Sequence, residues 1–186
     1  KQFVLKADVI NKVRNLTFVP VSDWLGDLLK QTYHRDRRII TIHNGIDIQK
    51  FYISSGTDNL SGFTILGVAS VWDIRKGLPD FIKLRSMLPG DFKITLVGLS
   101  QKQVKALPVG IKGITRTSSI EEMVKLYSEA DVFVNPTYSD NYPTTNLESM
   151  ACGTPVITYR TGGSPEAVDE KTGVVVEQGN VEALAD

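Results

Sequence analysis

The stretch ADVFVNPTYSDNYPTTNLESMACGTPVITY, Ala130 to Tyr159, decides the fold, because three structural signals follow one another in it. Val132-Phe133-Val134 is an apolar run that reads as a strand and stops at Asn135-Pro136. Thr144 to Cys152 reads as a helix, with Pro143 in its first turn, where a missing N–H costs little. Leu147, Met150 and Ala151 form its expected buried stripe. Pro155 to Thr158 is a second apolar strand. Strands that are apolar throughout, joined by a helix, belong to a parallel sheet covered on both faces. Between strand and helix lies a polar turn that packing does not require, with Asp140 and Glu148 on either side of the helix start.

The same rhythm extends in both directions. Upstream, the expected elements are a strand from Phe63 to Ala69, a helix from Leu78 to Leu88 with Phe81, Ile82, Leu84 and Leu88 as its apolar set, and a strand from Phe92 to Val97. They continue with a short helix from Gln101 to Leu107, a strand from Ile111 to Ile114, and a helix capped by Ser119 that carries Met123, Leu126 and Tyr127. Downstream come a short helix from Ser164 to Val168, a strand from Gly173 to Val176 and a helix start at Val181. Nearer the beginning, strands Leu16 to Val19 and Ile39 to Ile42 flank a helix from Asp23 to about Thr32, with Trp24, Leu25, Leu28 and Leu29 on one face. Residues 52–62 are polar and glycine-rich, which suits a linker. The fold class is therefore α/β: a Rossmann-like parallel sheet with helices on both faces. In such folds ligands sit at the carboxyl ends of the strands, so the turns after each strand carry the chemistry.

Bulk properties remove several function classes. At 186 residues the chain holds one full core, or one domain plus part of another. Lysine plus arginine and aspartate plus glutamate balance at 21 each, which gives no basic footprint for a nucleic acid. No apolar run approaches the roughly 20 residues that span a bilayer. Cys152 is the single cysteine, so an internal disulfide is impossible and a reducing, cytoplasmic setting is expected. Two histidines without i, i+4 pairing predict no metal cluster. There is no G-x-S-x-G elbow, no phosphate loop ending in GK[ST] and no G-x-G-x-x-G after the first strand. The chain begins without methionine and stops at VEALAD, where a helix has only just begun, which predicts a piece of a longer protein.

Three turns are candidates for binding. At the helix start the amides of Thr144, Thr145 and Asn146, with the positive end of the helix dipole, would form an anion site. Glu148 lies on the same side of that helix as Thr144 and Thr145. A carboxylate there can accept two bonds from vicinal hydroxyls, as on a ribose. Arg75 and Lys76, followed by Gly77, sit in the turn after the strand ending at Ala69 and could neutralise phosphate. Gly162-Gly163 before Ser164-Pro165-Glu166 would let backbone amides approach a ligand. Each of these has a structural alternative: a capped loop, a solvated cationic turn, an ordinary αβ connection.

Several motifs, in order, resemble the retaining, nucleotide-sugar-dependent glycosyltransferases of GT-B fold known as glycosyltransferases group 1 (family 4). They are His43-Asn44-Gly45-Ile46-Asp47 with Phe51, Lys76-Gly77, Ala130 to Pro136, Glu148 to Ile157, and Gly162-Gly163 with Glu166. The resemblance runs from about Val19 to the end and implies one half of a two-domain fold. Residues 1–50 would be the end of the acceptor-side domain and its connection, 51–62 a linker, and 63–186 a C-terminally truncated donor-binding domain. It implies catalytic roles for Lys76, Asp140 and Glu148, with Lys76, Arg75, Thr144, Thr145 and Asn146 on the donor diphosphate. Asp140, Asn141 and Tyr142 would hold the transferred sugar, Glu148 the ribose, and Thr115, Arg116 and Thr117 the base.

The chain departs from the family twice. The family's paired glutamates are here Asp140 and Glu148, and Asn141-Tyr142-Pro143 replaces Gly-Phe-Gly, which bears on the choice of donor sugar. The arginine usually found about five residues before the lysine is here Val71, and Arg75 is the candidate replacement. The implied activity is transfer of a hexosyl unit from a nucleoside-diphosphate-sugar to an acceptor hydroxyl with retention, as in polysaccharide biosynthesis. No metal or other cofactor is expected. The acceptor, a glycan or a lipid-linked one, would be held by the rest of the parent, which could associate peripherally with the inner face of a membrane. The fragment alone would bind donor without transferring it. A nucleotide-sugar epimerase of the same fold and a non-catalytic nucleotide-binding module are the alternatives.

Overall fold

The computed structural model describes residues 10, 12–54 and 62–186. The chain divides into two compact units, Lys1–Asn44 and Gly45–Asp186. Much of the expected linker lies outside the described residues.

In the first unit β1 (Thr17–Phe18) and β2 (Arg38–Ile39) pair in parallel around α1 (Asp23–Lys30). The ladder continues past β2 through Ile40 and Ile42, whose amides bond the carbonyls of Phe18 and Pro20. Ser22 caps α1 as expected, its hydroxyl accepting from the Leu25 amide at 3.2 Å. Trp24 and Leu28, expected on the apolar face, are exposed, and the buried position of α1 is Gly26.

The second unit is a six-stranded parallel sheet in the order β5-β4-β3-β6-β7-β8. Its strands are β3 (Thr64–Val68), β4 (Lys93–Val97), β5 (Ile111–Ile114), β6 (Val132–Asn135), β7 (Val156–Tyr159) and β8 (Gly173–Val176). Its helices are α2 (Leu78–Met87), α3 (Gln101–Ala106), α4 (Ile120–Glu129), α5 (Thr144–Ala151) and α6 (Glu182–Ala185). From β3 the chain winds outward to β4 and β5, then returns to β6 beside β3 and winds the other way. The strand order thus reverses between β3 and β6, which opens a crevice at their carboxyl ends.

Two cores flank the sheet. On one face Ile65, Ile94, Leu96 and Val134 pack against Phe81 and Leu84 of α2 and Leu184 of α6. On the other, Leu66, Phe133 and Val156 pack against Val124 and Tyr127 of α4, with Cys152 beside them. Ile82, expected in the apolar set of α2, is exposed. Successive helical residues are about 100° apart, so a face built on Phe81 and Leu84 turns Ile82 outward. The segment Ser164–Ala167 is a 3-10 turn rather than an α-helix. The buried side of α5 also differs from expectation: Asn146 and Ser149 are fully buried, whereas Leu147, Met150 and Ala151 are only partly so. This helix lies over the polar ends of β6 and β7, where buried groups must find hydrogen-bond partners. Asn146 finds them in Asn135 and Ser164, and Ser149 in the carbonyl of Thr154 at 2.9 Å.

Candidate functional site

The turn after β3 is built to hold Lys76 in place. Buried Trp72 pins it across the sheet by donating its indole N–H to the Val97 carbonyl at 2.8 Å. Asp73 caps a 3-10 turn, Ile74–Lys76, by accepting from the Lys76 amide at 3.2 Å. Gly77 ends it with φ 74°, in the left-handed region, and a Cβ there would collide with the Pro136 carbonyl. Glycine therefore lets the turn after β3 lie directly against the end of β6. Tyr138 completes the tie, its amide donating to the Arg75 carbonyl at 2.6 Å.

Across the crevice, the polar turn after β6 carries Asp140. Its carbonyl accepts from the Gly163 amide at 3.2 Å, and Gly162, with φ 54°, leaves no room for a Cβ against that carbonyl. The glycine pair therefore supports the Asp140 loop, and the Gly163 amide is already engaged. Lys76 Nζ and Asp140 Oδ2 meet at 2.6 Å, with side-chain exposures of 32% and 19%, although they are 64 residues apart. Arg75 is exposed, and its guanidinium bonds Asp73 at 2.9 Å, which lowers the Asp73 carboxyl below its ordinary value.

The amino end of α5 follows this loop. Pro143 sits at the cap without a side-chain cap bond, and the Asn146 amide reaches back to the Pro143 carbonyl at 3.3 Å. Among the described residues no acceptor meets the amides of Thr144 and Thr145. The Asn146 side chain points into the buried network of Asn135, Thr158 and Ser164. One turn on, half-buried Glu148 accepts from the Tyr127 hydroxyl at 2.9 Å. Asn141 is exposed and Tyr142 buried; burial, then the charge of Glu166, raises the Tyr142 phenol above its ordinary value.

Arg116 and Thr117, after β5, line a cavity of about 570 Å³ together with Phe51 and Met123. A separate concavity of about 540 Å³ lies at the amino ends of β3, β4 and β5, against Thr64, Lys93 and Ile111. No βα turn emerges at that end of the sheet.

Sequence reasoning thus named Lys76 and Asp140, which the fold brings into contact. It missed the Tyr127 hydroxyl and the network around Asn146. Polar residues closing apolar strands, Asn135 after Val134 and Thr158 after Ile157, were the available signal for that network.

A parallel sheet with its switch point between β3 and β6, and polar loops facing each other there, defines a Rossmann-like half of the GT-B fold. The chain belongs to the glycosyl transferases group 1, whose family model matches residues 62–186. A D-inositol 3-phosphate glycosyltransferase of Mycobacterium sp. (strain KMS) is 27% identical over 161 residues, which are 75% of this chain and 36% of that protein. Among solved structures, sucrose-phosphate synthase of Thermosynechococcus elongatus matches with TM-score 0.79 and 24% identity, over 91% of this chain and 47% of that one. The Anabaena protein Alr3699/HepE, solved in complex with UDP-glucose, matches with TM-score 0.76 and 20% identity, over 96% of this chain and 54% of that one. The chain spans about half the length of these solved proteins. No helix among the described residues is long and apolar enough to cross a membrane.

Proposed function

We propose that this chain is the donor-binding part of a retaining glycosyltransferase that moves a sugar from a nucleoside-diphosphate donor to an acceptor hydroxyl. The observation that carries this reading is the meeting of Lys76 and Asp140 in the switch-point crevice, beside the α5 amides of Thr144 and Thr145. Breaking the glycosyl–phosphate bond builds negative charge on the departing diphosphate. A fixed ammonium and a helix amino end stabilise that charge without reorganising. Lys76, Thr144 and Thr145 take this role, with Arg75 as a second cation. The amide and side chain of Asn146 are engaged within the protein, so its contribution is to fix the helix start.

Asp140 accepts hydroxyls of the transferred sugar, flanked by Asn141 and Tyr142. Glu148 holds the ribose, and the base lies against Thr115, Arg116 and Thr117. Family membership and the UDP-glucose complex of the Anabaena neighbour support a nucleotide-sugar ligand. The acceptor is bound by the rest of the parent, so this chain binds donor without transfer. A cytoplasmic setting, expected from the unpaired Cys152, goes with this reading.

A thermal-shift panel with UDP, GDP and their sugar conjugates tests it, because a ligand of the folded state raises the melting temperature. A rise is expected with one nucleotide series, persisting in a chelator and abolished by Lys76→Ala. Arg75→Ala measured alongside would be left unchanged only if Arg75 lies outside the site. No shift with any of these compounds would sink the proposal.

A further inference from the structure

We propose that Tyr127 is the positioning residue for Glu148: its hydroxyl fixes the carboxylate in the orientation that reads the ribose hydroxyls of the nucleotide. This deepens the donor reading and rests on it.

Tyr127 is fully buried, yet it spends its one hydroxyl proton on Glu148 Oε2 at 2.9 Å. Two aromatic side chains seat its ring. Phe133 meets it edge-on at 5.6 Å between centroids, and Phe51 at 6.4 Å. Its backbone carbonyl accepts from the Thr154 hydroxyl at 2.5 Å, which ties α4 to the turn that ends α5. Burial first, and then the neighbouring Glu148 charge, push the phenol well above its ordinary value, so it remains a donor.

Among the described residues, no other hydrogen bond reaches the Glu148 carboxylate. A glutamate on a helix surface normally samples several rotamers, and ordering it costs binding energy. Here the tyrosine holds one oxygen and leaves Oε1 and the one spare lone pair of Oε2 to accept two vicinal hydroxyls. Phe51 gives this arrangement a second meaning. It lines the cavity with Arg116 and Thr117 and also seats the Tyr127 ring, so the proposed base and ribose contacts share one packed unit.

The test compares affinities for UDP and GDP with those for their 2′,3′-dideoxy counterparts, by calorimetry on this chain. The wild type should prefer the ribonucleotide of whichever base it binds. Tyr127→Phe should lose about tenfold in ribonucleotide affinity, the order expected for one bond to a charged group, with dideoxynucleotide affinity unchanged. In a Glu148→Ala background, where no acceptor remains for the hydroxyl, the same substitution should change neither.

Phe133→Leu loosens the same core while keeping the hydroxyl. It should lower the melting temperature and preserve the ribose preference, and melting curves of all variants are recorded alongside. Preference retained in Tyr127→Phe, or lost equally in Phe133→Leu, would overturn the inference while leaving the donor reading intact. A wild type that binds nucleotide without a ribose preference would overturn it too. A wild type that binds neither UDP nor GDP would remove the donor reading itself.

Discussion

Asp140 stands where the resemblance implies a glutamate, and the structure gives that difference a physical consequence. Its carboxylate is the partner of Lys76 Nζ at 2.6 Å. On the proposed reading, a diphosphate arriving at Lys76 would compete with Asp140 for the same ammonium and also meet its negative charge. A side chain one methylene shorter than glutamate has less reach with which to swing away. Asp140→Asn should raise affinity for a bare nucleoside diphosphate by about threefold, the scale of a partly exposed ion pair. It should at the same time erase any extra affinity for the sugar-conjugated nucleotide, because the amide is a poorer acceptor for sugar hydroxyls. Competition binding with the two ligand forms reads both effects. Weaker binding of the bare diphosphate would show that Asp140 does not oppose it. Neither the pairing nor its geometry was visible in the sequence, where Lys76 and Asp140 are simply two polar residues 64 positions apart.

At the scale of elements, periodicity and capping placed the strands and helices of the second unit to within a residue or two. Ser100 and Ser119 cap α3 and α4 by accepting the amides of Gln103 and Glu122, as short-range chemistry requires. Periodicity failed where a helix face is chosen by something other than apolarity. The buried side of α5 is polar because it meets the strand ends, and a hydrophobic stripe pointed a few positions away from it. The glycine turns are where elements come closest. Gly77→Ala would put a Cβ against the Pro136 carbonyl at a left-handed φ of 74°, and should cost about 2 kcal/mol or more. Gly90→Ala, where nothing lies within 4 Å, should be close to neutral. Denaturant midpoints of the two variants measure the contrast. If Gly77→Ala were also neutral, the turn holding Lys76 would be freer than its packing implies.

At the scale of the whole molecule, the two fully buried tyrosines, Tyr127 and Tyr159, couple stability to alkaline pH. Burial and Glu148 raise the Tyr127 phenol, and burial and Asp80, which accepts its proton at 2.8 Å, raise that of Tyr159. Both folded values exceed the unfolded one of about 10, so their contribution is complete below that pH and is lost as pH rises above it through the folded values. The melting temperature should hold to about pH 9 and fall above about pH 10. Tyrosinate absorbance should rise in two stages, the second coinciding with unfolding; a single stage, completed while the fold persists, would contradict the burial of these hydroxyls.

The sequence by itself determined the parallel α/β class, the succession of elements and the polar turns at strand ends, because these follow from interactions within a few residues. Only the tertiary structure decided which turns meet. The reversal of strand order between β3 and β6 brings Lys76 to Asp140, and the packing of α4 beside α5 brings Tyr127 to Glu148. Such pairings depend on how strands are ordered across the sheet, and spacing along the chain carries no record of that order.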